Sequence, residues 1–215
     1  MDKEQCLREL TDTGVVAVIR TRSGDELVNV CQALADGGIK GVEITMTSPG
    51  AIEAIYQASK ILKGKAIIGA GSVLDPETAR SVMLAGADFI VGPTLNLELI
   101  RICKRYSKIV IPGAFSPTEI LTAWQAGADV VKVFPATRLG PSFIKDVLGP
   151  LPQVKLTPTG GVNLENLGDF IKAGAVFVGA GSALVSKQLV ADQDWDGLAK
   201  RAADFVLAAK LARTK

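Results

Sequence analysis

Histidine is absent from all 215 residues of the chain. That removes the commonest general base near neutral pH and the commonest metal ligand, leaving Lys, Glu, Asp, Tyr and Cys for any chemistry. Cysteine is scarce as well. Cys6, Cys31 and Cys103 are odd in number and far apart, which fits reduced, mostly buried thiols in a cytoplasmic protein better than a disulfide framework. Charge of one sign is missing too: 24 Lys and Arg stand against 22 Asp and Glu, with no basic block. This argues against nucleic-acid binding and leaves room only for a local positive potential toward a small anion. The first residues, Met1-Asp2-Lys3-Glu4-Gln5, carry charge and no apolar run, so no signal peptide is expected. No apolar segment is long enough to span a bilayer, so no membrane partner is expected. No Pro- or Ser-rich linker divides the chain, and residues 1–215 are read as one domain.

What is present is apolar bulk and glycine. Hydrophobic residues make up 48% of the chain, enough for a sizeable core, and 22 glycines imply many tight turns or backbone that approaches a ligand closely. A pattern recurs four times: Asp36-Gly37-Gly38-Ile39, Ala85-Gly86-Ala87-Asp88, Ala126-Gly127-Ala128-Asp129 and Ala173-Gly174-Ala175-Val176. Each reads as a helix C-cap followed by a β-branched strand. Four further strands are expected at 15–19, 65–68, 109–111 and 154–156. Helical periodicity fills 50–62, 76–85, 96–106, 117–126 and 164–173. Eight strands alternating with helices at this spacing predict an α/β (β/α)8 TIM barrel. An extra N-terminal helix is expected over 2–11 and a closing helix over 192–211. An open doubly wound sheet is the alternative, but no Gly-x-Gly-x-x-Gly turn follows the first strand.

Counting five residues on from the repeat glycines gives Glu43, Val91, Lys132 and Gly179. These belong to alternate strands, which in such a barrel share one interior layer. Strand alternation agrees: Lys132 shares a face with Val130 and Phe134, and Glu43 with Gly41 and Thr45. A lysine and a glutamate placed inside are costly unless paired. Two explanations stand at this point. One is a structural ion pair, or a register that leaves both groups at the rim. The other is a lysine whose pKa burial lowers until its neutral amine attacks a carbonyl, with Glu43 shuttling protons.

Two glycine-rich turns follow the last two strands, Thr157-Pro158-Thr159-Gly160-Gly161-Val162-Asn163 and Gly179-Ala180-Gly181-Ser182-Ala183. Loops in these places often bind phosphate through backbone N–H groups. A third turn, Gly69-Ala70-Gly71-Ser72, suits a carboxylate, or is a plain tight turn. Arg20, at the end of the first strand, suits a bidentate anion contact. Pro93 and Phe134 are either packing residues or walls of a substrate pocket.

Taken together these residues resemble the 2-keto-3-deoxy-6-phosphogluconate (KDPG) aldolase and 4-hydroxy-2-oxoglutarate aldolase family, including its 2-keto-3-deoxy-6-phosphogalactonate branch. The resemblance covers about Gly14 to Ser186. It rests on Ala17-Val18-Ile19-Arg20, Val42-Glu43-Ile44-Thr45, Ile68-Gly69-Ala70-Gly71-Ser72-Val73, Pro112-Gly113-Ala114, Val131-Lys132-Val133-Phe134-Pro135 and Pro158-Thr159-Gly160-Gly161. It implies a trimeric class I aldolase, a carbon–carbon lyase without metal or other cofactor, acting on a phosphorylated keto-acid sugar. It implies further that Lys132 forms an imine with the pyruvate portion of the substrate and that Glu43 is the general acid/base. Gly160, Gly161, Gly181 and Ser182 match phosphate-binding positions, and Ser72 matches a hydroxyl beside the pyruvate carboxylate. One departure stands out: Thr47 occupies a position that holds a carboxylate-binding arginine in the phosphogluconate enzymes. The phosphogalactonate branch also lacks that arginine and has one matching Arg20, which implies the carboxylate role for Arg20 and leaves the sugar epimer open. Unphosphorylated 4-hydroxy-2-oxoglutarate as substrate, a non-covalent phosphosugar isomerase or synthase, and a phospho-ligand sensor are the alternatives.

Overall fold

The structure, a computed structural model, describes residues 2–21 and 26–214. Its strands are β1 (Val15–Ile19), β2 (Gly41–Thr45), β3 (Ile67–Gly71), β4 (Phe89–Val91), β5 (Ile109–Ile111), β6 (Gly113–Ala114), β7 (Val131–Val133), β8 (Leu156–Pro158) and β9 (Val178–Ala180). The helices are α1 (Lys3–Thr13), α2 (Leu27–Asp36), α3 (Ala51–Ile61), α4 (Pro76–Leu84), α5 (Leu97–Arg105), α6 (Pro117–Gln125), α7 (Gly140–Leu148), α8 (Leu167–Lys172), α9 (Lys187–Ala191) and α10 (Trp195–Arg213). β1 and β5 fall where the apolar runs place them. β3 and β8 begin two residues later than expected and draw Gly69–Gly71 and Thr157–Pro158 out of the turns and into strands. None of the described helices is long and apolar enough to cross a membrane.

Four helix ends explain the regular spacing. Gly38, Gly86, Gly127 and Gly174 all have φ between 92° and 109°, a left-handed region that favours glycine. After each of them the next amide reaches back five residues: Ile39 N to Leu34 O, Ala87 N to Val82 O, Ala128 N to Ala123 O and Ala175 N to Phe170 O, at 2.9–3.1 Å. These are Schellman closures, with the shorter glycine bond also present in each. Four helices thus end the same way and launch the following strands with one offset.

The strands run parallel and curl, but their ladders form two arcs: a six-stranded sheet in the order β5-β4-β3-β2-β1-β9, and a three-stranded sheet β6-β7-β8. The expectation of one closed eight-stranded ladder is corrected in this respect. At one seam the cause is Pro112, whose missing N–H interrupts the ladder and splits one strand into β5 and β6. β5 pairs with β4, and β6 pairs with β7. Backbone bonds still cross there, from Asp129 N to Val110 O at 3.1 Å and from Lys132 N to Pro112 O at 2.9 Å. At the other seam β8 and β9 meet through the single bridge Thr159–Gly179 and the bond from Val176 N to Leu156 O, 2.9 Å.

Alternation sorts the strand residues into two apolar layers. Val42, Ile44, Val131 and Val133 point outward into a shell shared with the helices. Val16, Phe89, Ile109, Val130 and Phe177 point inward, where Leu10 and Cys6 of α1 join them. Leu10 is fully buried, and a Cβ on Gly41 at the start of β2 would lie 2.5 Å from its Cδ2. The helix therefore plugs the end of the curl at which the strands begin, held also by a Lys3–Asp129 ion pair of 2.8 Å. All three cysteines are buried and free, and burial pushes the Cys31 and Cys103 thiols up to about 12. Leu10→Ala is expected to cost about 2–5 kcal/mol through the cavity it leaves. Denaturant titration would show a lower midpoint with an unchanged slope, and turnover well below the melting temperature should match the parent, since the strand C-termini lie at the opposite end.

Candidate active site

Buried among the described residues are two charged side chains, Glu43 at 3% exposure and Lys132 at 5%. β2 carries the first and β7 the second, and each follows its repeat glycine at the same offset. Glu43, Val91, Lys132 and Gly179 all line one internal cavity, so the shared depth is met. The space is much smaller than four such residues alone would leave, about 10 Å³, because Val16, Ile111 and Phe177 fill it from neighbouring strands. The two charges do not touch: the direct ion pairs among the described residues are Lys3–Asp129, Arg101–Glu98 and Lys108–Asp88. A structural salt bridge is therefore not what holds Lys132 inside.

Burial raises the Glu43 pKa above the ordinary value of 4.5, while the charges of Lys132 and Arg20 act in the opposite direction and do not offset it. Glu43 thus keeps its proton at pH values where an exposed glutamate has lost it. Its side chain lies against β3 at Gly71, where a Cβ would come within 1.9 Å of Oε1. Gly69 and Gly71 face inward two residues apart, the first making room for Phe89 and the second for Glu43. The Gly69-Ala70-Gly71 segment is accordingly strand, and its two glycines clear space for neighbouring side chains. Lys132 Nζ sits 4.9 Å from the centre of the Phe134 ring, a cation–π distance.

Above this floor, at the strand C-termini, lies a cleft of about 540 Å³. Arg20, Phe134, Thr159, Gly160, Gly161, Gly181 and Ser182 all line it, so seven of the residues singled out in the sequence come together. Thr159 faces both the cleft and the internal cavity and links the two. Gly160 and Gly161 have φ of 95° and 72°, left-handed values that turn the backbone at the edge of the cleft. Asn166 secures the same turn, donating from Nδ2 to Gly161 O at 2.9 Å. Lys187, at the start of α9, is a cation on this cleft that the sequence reading passed over. Only the fold carries it there, although a lysine five residues beyond Ser182 was the available signal.

Three expected residues lie apart from that lining. Thr47 belongs to a hydroxyl cluster at the end of β2, in which Thr45 Oγ1 donates to Ile19 O at 3.0 Å and lies 2.9 Å from Thr47 Oγ1. Ser72 follows β3 with φ of 56°. The Pro93 backbone lies against β6, where a Cβ on Gly113 would be 2.3 Å from the Pro93 carbonyl.

The raised Glu43 pKa has a consequence for stability. The contribution of the neutral carboxyl is complete below the unfolded value and is lost as pH rises through the higher folded value. Glu43→Gln stays neutral throughout, so its melting temperature relative to the parent should climb as pH rises from the ordinary glutamate range through the higher folded value. A constant difference across that range would contradict the burial account.

The family model for KDPG and KHG aldolase matches residues 6–201. The 2-dehydro-3-deoxy-6-phosphogalactonate aldolase of Escherichia coli is 36% identical over 92% of this chain and 95% of its own length. The 2-dehydro-3-deoxy-phosphogluconate aldolase of Haemophilus influenzae is 32% identical over 92% and 93%. A solved KDPG aldolase from Legionella pneumophila, with pyruvate captured as a covalent carbinolamine, superposes with a TM-score of 0.86 at 28% identity, over 94% of this chain and 98% of that one. The chain belongs to the KDPG and KHG aldolase family and is a carbon–carbon lyase of that family.

Proposed function

We propose that the chain is a Schiff-base aldolase that reversibly cleaves a 2-keto-3-deoxy-6-phospho sugar acid to pyruvate and glyceraldehyde 3-phosphate. The observation that carries this reading is that the two buried charged residues, Lys132 and Glu43, share one cavity beneath a cleft walled by glycine turns. The carbinolamine of the Legionella pneumophila relative supports the covalent route.

In this reading Lys132 Nζ attacks the C2 carbonyl carbon, and loss of water gives an iminium that draws electrons from the C3–C4 bond. Glu43, as carboxylate, takes the C4 hydroxyl proton while that bond breaks, releasing the aldehyde. The enamine left on Lys132 takes the proton back at C3 from the Glu43 carboxyl. Hydrolysis then frees pyruvate and the amine. The glycine turn at Gly160 and Gly161, with Gly181 and Ser182, receives the phosphate, and Arg20 beside it pairs with it. That differs from the carboxylate role implied by the resemblance, and the shared cleft lining supports it. Ser72 and Thr47, at the ends of β3 and β2, serve the carboxylate end; Phe134 and Pro93 wall the pocket. The reading takes residues 1–215 as one unit and the protein working as a homotrimer.

Pyruvate and borohydride together should leave a stable adduct on Lys132, located by peptide mass spectrometry. Label elsewhere, no label, or activity surviving Lys132→Ala would sink the covalent mechanism and favour a non-covalent isomerase or synthase. Comparing kcat/KM for the two phosphorylated epimers and for 4-hydroxy-2-oxoglutarate tests the anion cleft. The epimers differ at one hydroxyl, worth about 1–3 kcal/mol in a pocket not built to read it. Both should exceed the unphosphorylated compound, and equal values would remove the phosphate role of the glycine turns.

A further inference from the structure

Thr157 was not among the candidate residues of the sequence reading. It lies on β8 directly beside Lys132 in the parallel register of β7 and β8, so the two side chains leave the sheet on the same face. It is 3% exposed, and its Oγ1 is the one buried side-chain polar atom among the described residues with no hydrogen-bond partner. Buried hydroxyls are rarely left unsatisfied, and a native exception calls for an explanation. The cavity it faces is the one shared by Glu43 and Lys132, and its volume of about 10 Å³ matches a single water molecule. Four polar side chains, Glu43, Lys132, Thr157 and Thr159, line a space of that size, which meets the conditions for an internal water: room for one molecule and two to four partners.

We propose that Thr157 holds one internal water between Lys132 and Glu43, and that this water passes a proton between them from the core side of the site. Thr157 is then a positioning residue, acting through the water and not on the substrate. The inference rests on Lys132 and Glu43 being the reacting pair. The step balances with no further reactant. A Lys132 N–H bond breaks as an O–H bond forms to the water, and another O–H bond of that water breaks as its proton joins the Glu43 carboxylate. The products are a neutral amine, as attack on a carbonyl requires, and a carboxyl able to protonate the hydroxyl that leaves as water when the iminium forms, which returns Glu43 to the carboxylate that cleavage uses. The geometry also accounts for the two charges sharing a cavity without touching, since a bridging water is about as good as a direct contact. The charged groups acting here are Lys132 from β7 and Glu43 from β2, with Arg20 acting on Glu43 from the end of β1. Strands β4, β5, β8 and β9 present only neutral groups to the cavity: Val91, Ile111, Thr157 and Gly179.

Thr157→Val keeps the shape and removes the hydroxyl, whereas Thr157→Ser keeps the hydroxyl. In the valine variant kcat should fall at least about tenfold, a fraction of the roughly 10²–10⁴-fold that positioned proton transfer contributes, with KM nearly unchanged. The pH at which kcat is half-maximal should move, and the serine variant should recover both kcat and the profile. A valine variant with parental kcat and pH profile would overturn the proposal, as would a serine variant no better than valine. A high-resolution crystal structure of the unmodified protein supplies a measurement independent of variant folding. It should show an ordered water within hydrogen-bond distance of Thr157 Oγ1 and of Lys132 or Glu43, and its absence would also overturn the proposal. Borohydride trapping of pyruvate, run alongside, separates the two levels. A valine variant that traps on Lys132 and turns over like the parent sinks the relay alone, whereas failure to trap in the parent sinks the relay and the Schiff-base reading together.

Discussion

Four helices that end in the same way set the depth at which the chemistry sits. Each closes on a left-handed glycine and a back-bonded amide, and the following strand enters the curl at a common offset. Glu43 and Lys132 reach one cavity because Gly38 and Gly127 stand the same five residues before them. A single insertion between cap and strand would turn either side chain to the helix-facing layer, since side chains alternate along a strand. The inner layer, the plug formed by Leu10 and the placing of both charges at the floor of the cleft all depend on that offset.

Charge burial gives the site its character. A carboxyl and an amine are held in mostly apolar surroundings, close enough for Lys132 to act on Glu43 and too far apart for a direct pair. A tight salt bridge would stabilise both ionised forms; here the two groups share a cavity with room for about one water instead. Gly71 makes this possible by yielding its side-chain volume to the Glu43 carboxyl. The open cleft above is built differently, from glycine turns beside the exposed cations Arg20 and Lys187.

Much of this was legible in the residue order. Helix C-caps are local: a glycine after a helical run needs only its own few neighbours to adopt a left-handed conformation, so the repeat could be counted and the depth of Lys132 inferred. The inward or outward sense of Val131, Lys132 and Val133 followed from alternation alone. Strand ends were less legible. Gly69-Ala70-Gly71 looked like a turn because glycine disfavours strands, yet Phe89 and Glu43 from neighbouring strands need the space it vacates. Closure was misjudged for a related reason: Pro112 sits between two strand-like pairs, and its effect on the ladder depends on which neighbour it faces.

The sequence by itself determined the parallel β-α alternation, the common offset after each glycine and the chemical types brought inside, because these depend on contacts within a few residues. Only the tertiary structure decided which side chains share a cavity. It brought Thr157 beside Lys132 and Lys187 beside Arg20, set Thr47 among the hydroxyls of β2, and kept Glu43 from touching Lys132. Those outcomes depend on residues far apart in the chain, on how Phe177 and Ile111 fill the interior, and on where Pro112 interrupts the ladder. Local preferences carry no information about distances of that kind.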